Sequence, residues 1–199
     1  MPKIFFFISF FFLISSCSKI GVKEISEIED KYVESYESWN LEIDTQKRQD
    51  SVLYYIDELI KLSKDDFYKI EKIKILCRIE KYKEALTVFN ILEERDSFAI
   101  ELLRGLIEIK DNPNPKNENI VLQHIYQKYE SKKLTIEDNF YKIALDYYFR
   151  GGDYAIDEIN SLVNKGKLTK SNEQLYEILK ERIQAKEDRL DVLFYLYNL

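Results

Sequence analysis

The hydrophobic residues of this chain recur three and four positions apart, the spacing that places side chains along one face of an α-helix. The segment 81–94, KYKEALTVFNILEE, shows the pattern clearly. Its apolar stripe consists of Tyr82, Ala85, Phe89 and Leu92. The stripe predicts a short amphipathic helix that buries this face.

A second stripe of the same kind lies just before the first. It comprises Phe67, Ile70, Ile73, Leu76 and Cys77, and only two polar residues, Glu80 and Lys81, separate the two segments. Two amphipathic helices joined so closely fold back as an antiparallel pair. Neither helix can bury its apolar face alone, so the pair needs neighbouring helices.

The same periodicity predicts ten helices along the chain. They cover residues 22–39, 49–63, 65–79, 82–95, 97–110, 118–131, 135–150, 153–164, 170–187 and 189–198. The breaks between them include the proline-containing segment 111–117, the pair Gly151-Gly152, and Gly166, all residues that end helices or follow them. Five glycines and three prolines are few for a fold with many tight turns. The sequence therefore predicts an all-α fold whose helices group as five antiparallel pairs.

Two positions carry more specific expectations about packing. Gly105 lies in the middle of a predicted helix, where glycine costs about 1 kcal/mol relative to alanine. We expect a neighbouring helix to approach closely there. The last segment, RLDVLFYLYNL, is apolar on most of its circumference. We expect it to pack on the preceding helices; the alternative is an exposed patch that binds a partner or a second copy.

The N-terminus has the pattern of a secretory signal peptide. Lys3 precedes the apolar run IFFFISFFFLIS, which is shorter than the ~20 residues that span a bilayer. The run ends in ISSC, residues 14–17, which resembles the lipobox of bacterial lipoproteins. That resemblance implies removal of residues 1–16 and acylation of Cys17 with fatty acids such as palmitate. Ordinary cleavage with Cys17 as an unmodified thiol is the alternative.

The lipobox resemblance also implies a location and a domain division. A lipid-anchored protein of the bacterial cell envelope follows from it, and Ser18 after the cysteine resembles the class sorted to the outer rather than the inner membrane. Residues 17–21 are then a lipidated tether, reaching about 15 Å if extended. The helical domain occupies 22–199.

Tyr82 and Tyr154 each stand near the start of the second helix of a pair and lie 72 residues apart. A pair between them begins its second helix near Glu118, so helix pairs recur with a period of about 36 residues. The segment KYKEALTVFNIL resembles the second helix of a tetratricopeptide repeat, with Tyr82, Ala85 and Phe89 at its signature positions. FAIELLRGLIEI and FYKIALDYYFRGGDY resemble first helices of that family. The resemblance implies a right-handed α-solenoid of about five helix pairs that binds a protein or peptide on its concave face.

Three positions depart from the family pattern. Val121 and Asp157 stand where the family has alanine, and Glu80 stands where it has the turn glycine. The name α-solenoid, without strict repeat geometry, therefore fits the sequence best.

The amino-acid composition and the absence of known motifs argue against several classes of function. The chain has 36 acidic and 30 basic residues, a net charge of −6, which argues against nucleic acid as a partner. The single histidine, His124, has no second ligand at metal-site spacing, and no nucleophile elbow, phosphate loop or calcium loop is present. We therefore expect no catalytic residue, no metal and no cofactor. Cys77, on its apolar stripe, is expected to be a buried thiol.

Tyrosine supplies the candidate binding residues, since fifteen are present and exposed tyrosines offer contact area at little entropic cost. We select Tyr54, Tyr126 and Tyr147 as candidates. The function predicted is a protein- or peptide-binding scaffold or adaptor anchored by lipid to the membrane. The alternatives are an immunity-type lipoprotein that neutralises a toxin and an envelope hydrolase with a dispersed site. The sequence leaves the oligomeric state open.

Overall fold

A computed structural model of the protein describes residues 19–41, 45–63, 65–93, 97–130, 132, 134–164, 166, 168–197 and 199. All regular secondary structure in these ranges is helical. The helices are α1 Lys19–Leu41, α2 Thr45–Leu62, α3 Asp66–Arg78, α4 Tyr82–Phe89, α5 Phe98–Asp111, α6 Pro115–Tyr129, α7 Ile136–Arg150, α8 Gly152–Asn164, α9 Lys170–Gln184 and α10 Arg189–Tyr197. The predicted all-α class is confirmed. The predicted signal peptide 1–16 and Cys17 lie outside the described residues.

Side-chain caps fix the starts of α3, α5, α6, α7 and α9. Asp65, Ser97, Asn114, Thr135 and Thr169 each accept a hydrogen bond from a backbone N–H of the first turn that follows, and so satisfy a donor that has no partner within the helix. In α6 the helix begins at residue 115 rather than 118. Proline is tolerated at a first helical position because its missing N–H is not needed there.

The described helices form two compact units, divided between residues 64 and 65. The segment predicted as one domain, 22–199, is therefore shared between them. In the first unit α1 packs against α2, and the buried residues among those described are Trp39, Val52, Ile56 and Leu59. Because α1 begins at Lys19, residues 19–21 of the predicted tether are helical.

The second unit contains α3 to α10, and successive helices in it pack on one another. Contacts join α3 to α4, α4 to α5, α5 to α6, α7 to α8, and α8 to α9. Helix α7 is the most connected, since it also contacts α5, α6, α9 and α10. Its buried face includes Ile143, Ala144 and Leu145. The core of this unit is therefore organised around α7.

The central pair, α3 and α4, packs largely as predicted. Ala85, Phe89 and Leu92 are at most 3% exposed. The prediction for Phe67 is wrong, because that side chain is 58% exposed and its neighbour Tyr68 is buried instead. Each spacing of three residues falls 60° short of a full helical turn, so the three spacings from position 67 to position 76 add up to a rotation of about 180°. Position 67 therefore lies on the side opposite Leu76.

Gly105 has the role that the sequence predicts. A methyl group at this position would lie 2.6 Å from Cδ1 of Ile125 and 2.9 Å from Cγ1 of Val121. These distances are too short for real carbon atoms, so α5 and α6 approach more closely at Gly105 than a side chain would allow. The expected close approach is confirmed.

The turn between α3 and α4 places Glu80 in the left-handed region, with φ of 60°. This is the position at which the tetratricopeptide family has glycine. A non-glycine residue pays roughly 1–2 kcal/mol for that conformation. The backbone therefore adopts the turn even though the residue is not the favoured one.

The C-terminal helix α10 is buried, as predicted. Val192 and Leu193 are fully buried, and Phe194 and Tyr197 are less than 10% exposed. The helix packs mainly on α7 and also on α5, and the Tyr197 hydroxyl donates a 2.7 Å hydrogen bond to the carbonyl of Ala99. The sequence predicts that the last two helices form a pair. The structure differs, because α10 packs on α7 and α5.

Candidate functional site

A large concavity of the second unit lies where the ends of five helices meet. It has a volume of about 1060 Å³ and is formed by the starts of α6, α8 and α10 and the ends of α7 and α9. Its lining includes Glu118, Tyr148, Asp153, Glu187 and Arg189. We call this concavity the helix-end groove. Its volume lies just above the range found for most ligand pockets.

Two tight turns shape the walls of the helix-end groove. The turn from α7 to α8 uses Gly151, whose φ of 90° favours glycine, followed by Gly152. A methyl group on Gly152 would lie 3.2 Å from Cγ2 of Ile183, so α9 passes close by. At the other turn, Asp188 accepts hydrogen bonds from the N–H groups of Leu190 and Asp191 and caps α10.

Tyr148 and Glu118 connect two walls of the helix-end groove. The Tyr148 hydroxyl donates a hydrogen bond to Oε1 of Glu118. Burial raises the pKa of Tyr148 to about 12, and the hydrogen bond to Glu118 and the charges of Glu118 and Asp188 act in the same direction, while Arg189 opposes them. At neutral pH the phenol is therefore a protonated hydrogen-bond donor.

Tyr147, a predicted binding residue, also lines the helix-end groove, but its ring is only 5% exposed. Its hydroxyl donates a 2.7 Å hydrogen bond to the carbonyl of Glu187. Beside it, Nη1 of Arg189 donates to the carbonyl of Tyr148 at 2.9 Å. These two bonds hold the segment between α9 and α10 against the end of α7. A binding role for Tyr147 stays a prediction.

Tyr126, the second predicted residue, belongs to a cluster around the buried Asp146. Asp146 is fully buried and accepts 2.6 Å hydrogen bonds from the Tyr126 hydroxyl and from Nζ of Lys142, with Nε of Arg150 at 3.8 Å. We call these four residues the Asp146 cluster. Burial raises the pKa of Tyr126, and the hydrogen bond to Asp146 raises it further. Because Tyr126 lies in α6 and Asp146 in α7, their hydrogen bond joins the two helices.

Phe149 joins the Asp146 cluster to the helix-end groove. Its ring centroid lies 4.9 Å from that of Tyr126 and also 4.9 Å from that of Tyr148, and Phe149 itself lines the groove. Two of the three predicted tyrosines, Tyr126 and Tyr147, are therefore at or directly behind one surface. Whether they bind a partner stays a prediction.

Tyr54, the third predicted residue, lies in the first unit. Its side chain is 59% exposed, and its ring stacks edge-on against Tyr55 with centroids 5.2 Å apart. The structure therefore presents Tyr54 as a surface aromatic residue of α2. Its binding role is also a prediction.

Sequence reasoning missed the charged residues of the helix-end groove. Glu118, Asp153 and Arg189 each lie in the first turn of a helix. The breaks before these helices are visible in the sequence and could have marked the three positions. That the three helix starts converge is a tertiary property with no local signal.

His124 lies on the exposed surface of α6 and lines a smaller groove of about 290 Å³ between α4, α5 and α6. Nearby, Nζ of Lys128 contacts both carboxylate oxygens of Glu101 at 2.7 and 2.8 Å. Burial opposes the ionisation of Glu101, but the hydrogen bond from Lys128 lowers its pKa overall. Among the described residues, no group of three or more His, Cys, Asp or Glu side chains is placed to hold a metal ion.

Cys77 is buried and has no disulfide partner among the described residues. Burial raises the pKa of its thiol to about 12. The expectation of a buried thiol is confirmed. At neutral pH the side chain is protonated and acts as a small apolar residue.

A second, mostly apolar groove of about 280 Å³ lies between α7, α9 and α10. Exposed apolar side chains around it are Ile136, Leu175, Ile178 and Tyr195. The guanidinium carbon of Arg182 lies 3.2 Å from the centre of the Tyr195 ring. This stacking fixes one edge of the apolar groove.

No protein-family model matches this chain, and neither the curated proteins nor the solved structures compared with it include a significant match. Within the described ranges, none of the helices combines the length and apolarity needed to cross a bilayer. The N-terminal sequence and the chemistry of the grooves are therefore the observations that bear on function.

Proposed function

We propose that this protein is a lipid-anchored component of the bacterial cell envelope that binds a protein or peptide segment in the helix-end groove. The observation that carries the binding role is this groove of about 1060 Å³, with aromatic rings and charged side chains on its walls. A groove of this size can hold several residues of an extended segment.

The anchor rests on the N-terminal sequence. A positive residue, a short apolar run and the ISSC motif precede the helices. Acylated Cys17 would hold the protein at the membrane, because each buried CH₂ group contributes about 0.8 kcal/mol and several chains exceed what one can retain. Ser18 favours the outer membrane over the inner.

The scaffold proposed for the second unit is a right-handed, tetratricopeptide-like solenoid. Its support is the packing of successive helices from α3 to α6 and from α7 to α9. The fully buried Ala85 and the close approach at Gly105 occupy small-residue positions of the family. The tight turn at Glu80 matches the family's turn position. Helix α10 acts in this proposal as the cap of the stack.

Binding is proposed in preference to catalysis because of what lines the helix-end groove. Its hydroxyls and several of its charges already bond to the fold, as in the contacts of Tyr147 with Glu187 and of Tyr148 with Glu118. Neither His124 nor Cys77 is among the lining residues. The groove therefore offers hydrogen bonds and ring surfaces more readily than a nucleophile paired with a base.

The first test of the proposal is the mass of the mature protein. Protein extracted from membranes is expected to lack residues 1–16 and to carry added acyl mass on Cys17. The variant Cys17→Ala should lose the acyl mass and leave the membrane fraction, while its helical circular dichroism stays unchanged. An unmodified Cys17, or a mature N-terminus elsewhere, would contradict the anchor.

The second test addresses the helix-end groove directly. A photo-crosslinking amino acid in place of Asn119, an exposed residue of its lining, is expected to capture a discrete partner in intact cells. The matched control is the same amino acid at Gln127, which lies two turns further along α6, about 12 Å away. Equal crosslinking at both positions, or none at Asn119, would count against a binding role for the groove.

A further inference from the structure

We propose that the helix-end groove selects a basic segment of its partner, with a lysine or arginine side chain seated between the groove carboxylates and the Tyr148 and Phe149 rings. This inference rests on the proposed binding function and names the chemistry of the ligand. It is carried by the groove's volume, its aromatic wall and the balance of its charges.

The charges that line the helix-end groove favour a cation. Its carboxylates are those of Glu118, Asp153, Glu187 and Asp188, and its cations are Lys186 and Arg189. Nη1 of Arg189 donates to the carbonyl of Tyr148 at 2.9 Å, and its positive charge stays in the groove lining, where four carboxylates stand against two cations. A ligand that enters the groove therefore meets more negative than positive charge.

Asp153 is the carboxylate best placed to receive a ligand. Its side chain is exposed in the first turn of α8, and it forms no ion pair or hydrogen bond with the residues that the structure describes. Glu187, in contrast, is paired with Arg182. Glu118 accepts from Tyr148 through Oε1 and keeps Oε2 for a further donor.

The aromatic wall adds a second attraction for a cation. The rings of Tyr148 and Phe149 meet edge-on, with centroids 4.9 Å apart, and both line the groove. An ammonium or guanidinium group over such a ring is attracted by the negative face of its π system. The same unit already uses this contact, since Arg150 lies 4.6 Å from the centre of the Tyr154 ring.

The pKa of the Tyr148 phenol also responds to the negative charges of the groove. Burial is the largest cause of its raised pKa, but the charges of Glu118 and Asp188 also raise it, against the opposing charge of Arg189. One carboxylate in α6, Glu118, and one just before α10, Asp188, therefore act on one point of the groove wall. A positive ligand group at that point would be stabilised by both.

The acidic residues also have a structural role, because Glu118, Asp153 and Asp188 lie at the N-terminal ends of α6, α8 and α10. A negative charge at the start of a helix interacts favourably with the helix dipole. The dipole does not account for the open volume or the ring surfaces beside these carboxylates. The test must nevertheless separate ligand binding from stability.

The test is a selection of random linear peptides on the full-length chain, purified in detergent as the cell produces it. Peptides enriched on the wild type are expected to contain lysine and arginine well above the library average. The double variant Glu118→Gln with Asp153→Asn is expected to bind them about tenfold more weakly, which equals ~1.4 kcal/mol. Binding by the wild type should also weaken as salt is raised.

The control is Asp157→Asn, which removes one exposed carboxylate from α8 outside the groove and should leave binding unchanged. Thermal melts of all variants show whether the fold is intact. Enriched peptides without basic bias, lost in the Asn119→Trp variant that fills the groove, would overturn the cationic ligand and leave the binding function standing. Failure to enrich any peptide, or binding that groove variants do not change, would overturn both.

Discussion

Deletion of residues 189–199 is expected to abolish the cooperative thermal unfolding of the second unit. Helix α10 contributes Val192 and Leu193, which are fully buried, and Phe194 and Tyr197, which are nearly so. Each large apolar side chain removed from a core costs about 2–5 kcal/mol, and four together exceed the stability of a typical domain. Helical circular dichroism followed against temperature would show a broad, early transition in place of a sharp one.

Three point variants make the α10 experiment specific. Tyr197→Phe removes only the hydrogen bond to the Ala99 carbonyl and should cost about 0.5–1.5 kcal/mol. Tyr195→Ala changes a side chain that is 43% exposed and should cost much less than Phe194→Ala. A deletion variant that still melts sharply at the wild-type temperature would mean that α10 is an attachment to the core and not a part of it.

The helices of this protein were predictable because their signal is local. Spacings of three and four residues, and polar breaks between them, placed most helix ends close to their observed positions. Two boundaries were further off, since α4 ends at Phe89 and not at 95, and α2 begins at Thr45 and not at 49. Two other errors have local causes. Helix α6 begins early because Asn114 caps it and Pro115 fits its first turn. Phe67 is predicted to be buried but is exposed, because repeated spacings of three residues move the stripe around the helix.

The helix-end groove was not predictable in the same way. Its residues lie between Glu118 and Leu190 in the sequence and come together only through the packing of five helix ends. The pairs Tyr147-Tyr148 and Tyr54-Tyr55 show which part of side-chain burial the sequence can predict. The sequence indicates that one ring of each pair faces inward, but the neighbouring helices decide how far the other is covered. The contacts of α10 with α7 and α5 are likewise long-range.

The Asp146 cluster is the other place where a single substitution should have a large effect. Asp146 is fully buried, and its charge is balanced mainly by Lys142, whose Nζ lies 2.6 Å from Oδ2. The Lys142 side chain is 20% exposed, so it can reach water more easily than Asp146 can. Removing the lysine therefore leaves a buried carboxylate, whereas removing the aspartate leaves a lysine that can move outward.

Lys142→Met is accordingly expected to destabilise the second unit by about 3–5 kcal/mol, more than Asp146→Asn does. The double variant Lys142→Met with Asp146→Asn should be more stable than Lys142→Met alone, because the buried carboxylate that lost its lysine partner is gone. Chemical denaturation of the wild type, both single variants and the double variant gives the coupling energy. Additive effects of the two substitutions would mean that Lys142 and Asp146, which both lie in α7, contribute nothing as a pair.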